Sequence, residues 1–174
     1  ADALTLQGVL TCENGDTSGG IKQIKKGISL HKATGADIWR TVQNSLLAEA
    51  YLKEGQPEKA LSSISEALEI CHRSGQSDNF EPELHRLRAL ALAQQGEASD
   101  ETVRNCFMNG YELASQQPAP MQIVRILNSM VECFDDDLDR KLLSETLDKL
   151  PENCDVIDIK HAYQLLESPH SSDK

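Results

Sequence analysis

A spacing of small and large residues recurs along this chain at a nearly fixed step. It is sharpest over residues 44–67, where Asn44, Leu47, Ala48 and Tyr51 are followed by Ala60, Ile64 and Ala67. Each position has a mechanical reading. Leu47 and Tyr51 fill the gap between two antiparallel helices. Ala48, Ala60 and Ala67 are small where another helix passes close. Gly55-Gln56-Pro57 interrupts the helices, and Pro57 suits the first turn of the next one. Forty residues upstream, Gly8 stands in the place of Ala48, and Gly20, Ile24 and Gly27 in the places of Ala60, Ile64 and Ala67. Forty-one residues downstream, Ala89 and Leu92 match Ala48 and Tyr51, with Val103, Phe107 and Gly110 after them. A fourth unit follows after 42 more, at Val131, Phe134, Leu143, Leu147 and Leu150, with large residues in the small places. Four units at steps of 40, 41 and 42 do not arise by chance, and a degenerate last unit is usual where one face lacks a neighbour.

This spacing resembles the tetratricopeptide pattern W-x2-L-G-x2-Y…A-x3-F, with Asn44 for Trp, Ala48 for Gly and Ile64 for Phe. The expected fold is all-α: an α-α superhelix of about four helical hairpins plus a closing helix. The expected units are about 1–35, 36–76, 77–118 and 119–151, with the closing helix at 155–168 and a disordered tail at 169–174. Apolar residues recur every three or four positions and never alternate over a strand's length. The helices expected are roughly 2–14, 18–34, 37–54, 57–74, 80–95, 99–117, 120–134, 137–150 and 155–168. Asp37 and Ser99 are the expected caps of the third and sixth. Gly35, Gly55, Gly75 and Gly96 stand at helix ends, and Pro169 stops the last helix. The chain does not begin with Met, and the simplest expectation is a piece of a longer polypeptide.

Composition narrows the function classes. The net charge is −11, and all of the excess lies beyond residue 50. A surface that reads phosphate is basic, so direct nucleic-acid binding is not expected. No apolar run reaches eighteen residues, so no membrane attachment is expected either. The five cysteines, at 12, 71, 106, 133 and 154, are odd in number and widely spaced, with no C-x-x-C. They read as free thiols in a reducing, cytoplasmic compartment, with Cys71, Cys106 and Cys133 inside apolar helix stripes.

No constellation of catalytic or metal-ligating residues stands out, so no enzyme and no cofactor are expected. Gly19-Gly20-Ile21-Lys22 lacks P-loop spacing. Lys22, Lys25 and Lys26 read as a solvated strip on the second helix. His85, between Leu84 and Leu87, reads as a satisfied structural residue. Trp39 reads as a wedge between repeats, with a recognition platform as the alternative. Asp135-Asp136-Asp137-Leu138-Asp139 invites calcium, but no EF-hand Gly follows, and Asp137 and Asp139 suit the start of a helix.

The tetratricopeptide resemblance also implies a binding surface. First helices of such hairpins line a concave groove. Here they offer Thr5, Val9, Cys12 and Glu13; then Val42, Ser45, Glu49, Leu52 and Lys53; then Glu83, Arg86, Leu90 and Gln94; then Arg125, Asn128, Glu132, Asp135 and Asp136. The contact set expected for a protein or peptide segment is Glu49, Leu52, Lys53, Arg86, Leu90 and Gln94. Glu132, Asp135 and Asp136 are expected to attract its basic end.

A narrower resemblance rests on Gly27-Ile28-Ser29-Leu30-His31-Lys32-Ala33-Thr34-Gly35-Ala36, Leu46-Leu47-Ala48-Glu49-Ala50-Tyr51, Glu83-Leu84-His85-Arg86-Leu87-Arg88 and Asp155-Val156-Ile157-Asp158-Ile159-Lys160-His161-Ala162. These phrases are similar to the C-terminal tails of large bacterial signalling ATPases of the STAND type. Those proteins carry adenylate cyclase or transcription-activator domains at the other end. The resemblance implies a non-catalytic sensor or interaction arm, whose partner is a protein segment or the ATPase of its own chain. The alternative is a stand-alone acidic adaptor, such as a secretion-system chaperone.

Overall fold

A computed structural model describes residues 1–34, 39–74, 79–151 and 156–168. Among these residues the chain is entirely helical, with no strand. The helices are α1 Asp2–Glu13, α2 Thr17–Thr34, α3 Arg40–Lys53, α4 Pro57–Ser74, α5 Glu81–Gln95, α6 Asp100–Ser115, α7 Pro120–Phe134, α8 Asp137–Leu147 and α9 Ile157–Glu167. They pack as consecutive antiparallel hairpins, α1/α2, α3/α4, α5/α6 and α7/α8. Each hairpin rests on the next through α2/α3, α4/α5 and α6/α7. The odd-numbered helices also touch in succession, α1 to α3 to α5 to α7 to α9, and so form one side of an all-α helical-repeat superhelix. Asp37, Gly35, Gly75, Cys154, His170, Pro169 and the rest of the expected tail lie outside the described residues.

The repeat spacing explains why the hairpins close. Ala48, Ala60, Ala67 and Ala89 are fully buried. A Cβ on Gly8 would sit 2.7 Å from the Gly20 carbonyl oxygen and 2.7 Å from Ile24 Cγ1, so α1 and α2 meet backbone to backbone there. Gly110 meets the Pro82 carbonyl in the same way, with its missing Cβ 2.9 Å away. The large positions fill the space beside these contacts. Ile24, Ile64, Leu84 and Leu87 form one core, and Phe107, Val124, Ile126, Leu127 and Leu143 a second. The fourth hairpin has no Gly or Ala of its own in α7 or α8. It packs through Val131, Leu143 and Leu147, and α9 covers the exposed flank of α7.

Helix ends follow local chemistry. Ser99 caps α6, its Oγ accepting from the Thr102 N–H at 3.3 Å. Gly55 and Gly96 end their helices with φ of +70° and +75°, a conformation that costs glycine little. The largest departures from the expected boundaries are two. The third helix begins at Arg40 rather than 37, and α8 ends at Leu147 rather than 150, where Asp148–Leu150 turn away. Cys12 and Cys71 are buried and in no disulfide, but Cys133 is exposed and belongs to no apolar stripe.

Candidate functional site

The side formed by α1, α3 and α5 is concave. Glu49, Leu52 and Lys53 from α3, with Arg86, Leu87, Leu90 and Gln94 from α5, line one open cavity of about 360 Å³. All six expected contact residues are among them. They meet because Glu49, Leu52 and Lys53 fall on one flank of α3, and Arg86, Leu90 and Gln94 recur at four-residue steps along α5. Leu52 and Leu90 supply partly buried apolar surface. Gln94 ties the two helices together, its Nε2 donating to the Leu52 carbonyl at 3.1 Å.

The charges in this groove are ordered by one another. Lys53 pairs with Glu13 of α1 and lies 3.8 Å from Glu49. Partial burial lowers the Lys53 pKa, but the bond to Glu13 and the field of Glu49 outweigh it, so the ammonium is held above its ordinary value. Arg86 forms part of the floor. It makes two hydrogen bonds to Glu83, at 2.8 and 2.7 Å, and a third to Ser129 Oγ at 3.1 Å. Burial alone would pull its guanidinium down; the Glu83 hydrogen bonds reverse that and hold it up. Arg125 continues the ladder, 3.9 Å from Glu83 and 3.6 Å from Asp158 of α9.

The other three expected residues do not join this group. Glu132 faces His161 of α9 at 3.3 Å. Asp135 ends α7 in the left-handed region, at φ +48°, and pairs with Arg140 at 2.6 Å. Asp136 caps α8, accepting from the Asp139 N–H at 2.9 Å, and pairs with Arg104 of α6. That N–H, helped by Arg104, holds the Asp136 carboxyl below the usual range. The charges of Asp135 and Asp136 are thus neutralised within the protein. The cluster is a helix start joined to an arginine: Arg104 also makes two bonds to the buried Asp139, at 2.8 and 2.9 Å, and stacks 4.2 Å from the Phe134 ring centre.

Leu87, Leu6 and Leu46 are wall residues the sequence reading misses. Leu46 follows Val42 by four positions and precedes Glu49 by three, a helical spacing that points to the groove. It is shared by two further depressions, and Glu49 and Lys53 join the first of these to the central one. The first holds Val9, Cys12, Glu13, Glu49 and Lys53. The second, about 190 Å³ between α1 and α3, is walled by Leu6, Trp39 and Val42 over Thr5 and Gln43. Trp39 is therefore not a buried wedge; it is 52% exposed. On the opposite side Lys22, Lys25 and Lys26 are exposed, as expected of a solvated strip.

His85 faces the close contact with Gly110, and its Nδ1 is buried without a hydrogen-bond partner. Burial, with Arg88 and His72 adding to it and Glu81 opposing, holds its pKa below the ordinary value. The unfolded chain then binds the extra proton, so this contribution to stability is complete well above about pH 6.5 and is lost as pH falls from there through the lower folded-state pKa. Urea denaturation between pH 8 and 5 is expected to show stability falling toward acid, with a shallower fall in His85→Gln. An unchanged slope in that variant would remove His85 from the account.

Among the described residues no group of three His, Cys, Asp or Glu is placed to hold a metal ion, and no helix is long and apolar enough to cross a membrane. Comparisons with protein-family models, with curated proteins and with solved structures return no match for this chain.

Proposed function

We propose that this chain is a non-catalytic repeat arm that binds a protein or peptide segment in the groove of its odd-numbered helices. The observation that carries the reading is the convergence of Glu49, Leu52, Lys53, Arg86, Leu90 and Gln94 on one open cavity. Two leucines offer apolar surface, while exposed carboxylates and an ammonium beside them orient a chain by its charges. Lys53 and Arg86 are tied to protein carboxylates, so the groove has no free clamp for a peptide C-terminus. Its walls are built on helices held by side-chain bonds, which lowers the cost of ordering on binding. The similarity of the Gly27–Ala36, Leu46–Tyr51 and Glu83–Arg88 phrases to signalling ATPase tails supports placing the arm in a larger bacterial regulator. There the segment bound belongs to an inducer protein or to the ATPase of the same chain.

Selection of peptides from a random display library on the immobilised domain tests the groove. Peptides that win on the native protein are expected to lose at least about tenfold in affinity, or about 1.4 kcal/mol, on Leu90→Lys and Gln94→Arg. Lys25→Glu, on the opposite face, is expected to leave them unchanged. Circular dichroism shows whether each variant is folded. Peptides that ignore both groove variants, or that depend on Lys25, would place the binding surface elsewhere.

A further inference from the structure

The N-terminal end of the groove differs in chemistry from its middle. Leu6, Trp39, Val42 and Leu46 make apolar walls around a depression of about 190 Å³. That is smaller than the roughly 300–1,000 Å³ of sites that take whole small molecules, and suits a single large side chain. Leu6 is 59% exposed and Trp39 52% exposed, so the walls face solvent rather than one another. The floor carries an unmet acceptor. Gln43 is 3% exposed, its Nε2 donates to Thr5 Oγ1 at 3.1 Å, and its Oε1 has no hydrogen-bond partner. Buried acceptors normally have a donor. The rim carries more carboxylates than cations. Asp2 borders the pocket with its side chain 60% exposed and one oxygen 2.7 Å from His31 Nε2, and Glu13 and Glu49 lie further along, sharing Lys53 between them.

We propose that this pocket is an anchor site for one aromatic side chain of a cationic peptide segment, with tyrosine or tryptophan preferred over phenylalanine. This rests on the groove reading above and names what the groove takes. The indole of Trp39 gives the incoming ring an aromatic partner, and aromatic pairs gain beyond their buried area. A phenol or indole donor meets Gln43 Oε1; a phenyl ring leaves it unpaired. Lysine or arginine on either side of the anchor meets the exposed carboxylate oxygens of Asp2, Glu13 and Glu49 that His31 and Lys53 leave open. These are exposed charges, so their share of the affinity weakens with salt.

Trp39 is the only tryptophan in the chain, so its fluorescence reports this pocket directly. The probes are blocked peptides of sequence Lys-Gly-X-Gly-Lys with Tyr, Phe or Ala at X, and a Glu-Gly-Tyr-Gly-Glu control. The Tyr peptide is expected to change Trp39 emission saturably. The Phe peptide is expected to bind several-fold more weakly, and the Ala and Glu-flanked peptides at least tenfold more weakly. Leu6→Asp, at an exposed position, is expected to cost the Tyr peptide at least tenfold while helicity is unchanged. Gln43→Met is expected to remove the preference for Tyr over Phe. The pocket is not the anchor site if emission stays constant with both aromatic peptides, if the Ala peptide matches Tyr, or if Leu6→Asp binds normally. Display-selected peptides that depend on Leu90 yet leave Trp39 emission unchanged would reject the anchor and keep the groove. Peptides that change Trp39 emission but ignore Leu90→Lys would reject the central groove instead.

Discussion

Replacing Arg86 with Met is expected to lower the unfolding free energy by about 3 kcal/mol, the lower end of what breaking a buried ion pair costs. Arg86 and Glu83 have side chains only 11% and 12% exposed, and two hydrogen bonds join them. Methionine fills similar space but leaves the Glu83 carboxylate in the groove floor without its main partner. Arg125, 3.9 Å from the same carboxylate, offsets part of the loss, which is why the lower figure is expected. Ser129 Oγ also loses its donor. Chemical denaturation measures the effect. The double variant Glu83→Leu/Arg86→Met is expected to recover much of it, because no uncompensated charge remains. A single variant within about 0.5 kcal/mol of the native protein, the range of ordinary surface changes, would mean that the pair is not effectively buried in solution. The consequence for function is specific. Arg86 shapes the groove as a fixed part of its floor, so loss of peptide binding in this variant follows from lost order as much as from a lost contact.

Gly8→Ala is expected to destabilise by about 2 kcal/mol, although alanine favours a helix interior over glycine by roughly 1 kcal/mol. The added methyl would stand 2.7 Å from the Gly20 carbonyl oxygen and 2.9 Å from the Ile24 nitrogen, both backbone atoms that no rotamer change can move. Only separation of α1 from α2 relieves this, and overpacking of that kind costs about 1–3 kcal/mol. Gln7→Ala, one residue away and exposed, is expected to be neutral or slightly stabilising. Thermal or urea unfolding of the two variants compares propensity with packing at adjacent positions. Should Gly8→Ala match Gln7→Ala, the close approach of the first hairpin is looser than described. The variant also widens the α1 side of the aromatic pocket, so the response of Trp39 to the Tyr peptide should weaken with it.

The fold was legible because its determinants are periodic and local. Alanine and glycine at matched places in successive units mark where helices touch, and Pro57, Ser99 and Gly96 mark ends by their own backbone chemistry. Those rules need no knowledge of distant residues, so the hairpin order and most helix boundaries followed. The groove members on α3 and α5 were legible for the same reason: once the hairpins are set, a side chain's angle around its helix decides which side it faces. Leu46 was passed over because it sits beside Leu47 in an apolar pair, and only one of the two reaches the core.

What periodicity could not supply was the partner of each charge. Asp135 and Asp136 read as free carboxylates along the chain, yet Arg140 and Arg104 neutralise them, the latter from 32 positions away in α6. Glu13 reaches Lys53 across 40 positions and Arg86 reaches Ser129 across 43. Such pairs depend on how one hairpin lies on the next, and side-chain spacing within a helix carries no record of that. Trp39 follows the same logic. Its place at the start of α3 is a property of the sequence, but its exposure depends on the angle at which α1 crosses. The chain by itself thus determined which residues form helices and which faces must be small. Tertiary packing alone decided which charges are neutralised internally and where a partner can still be met.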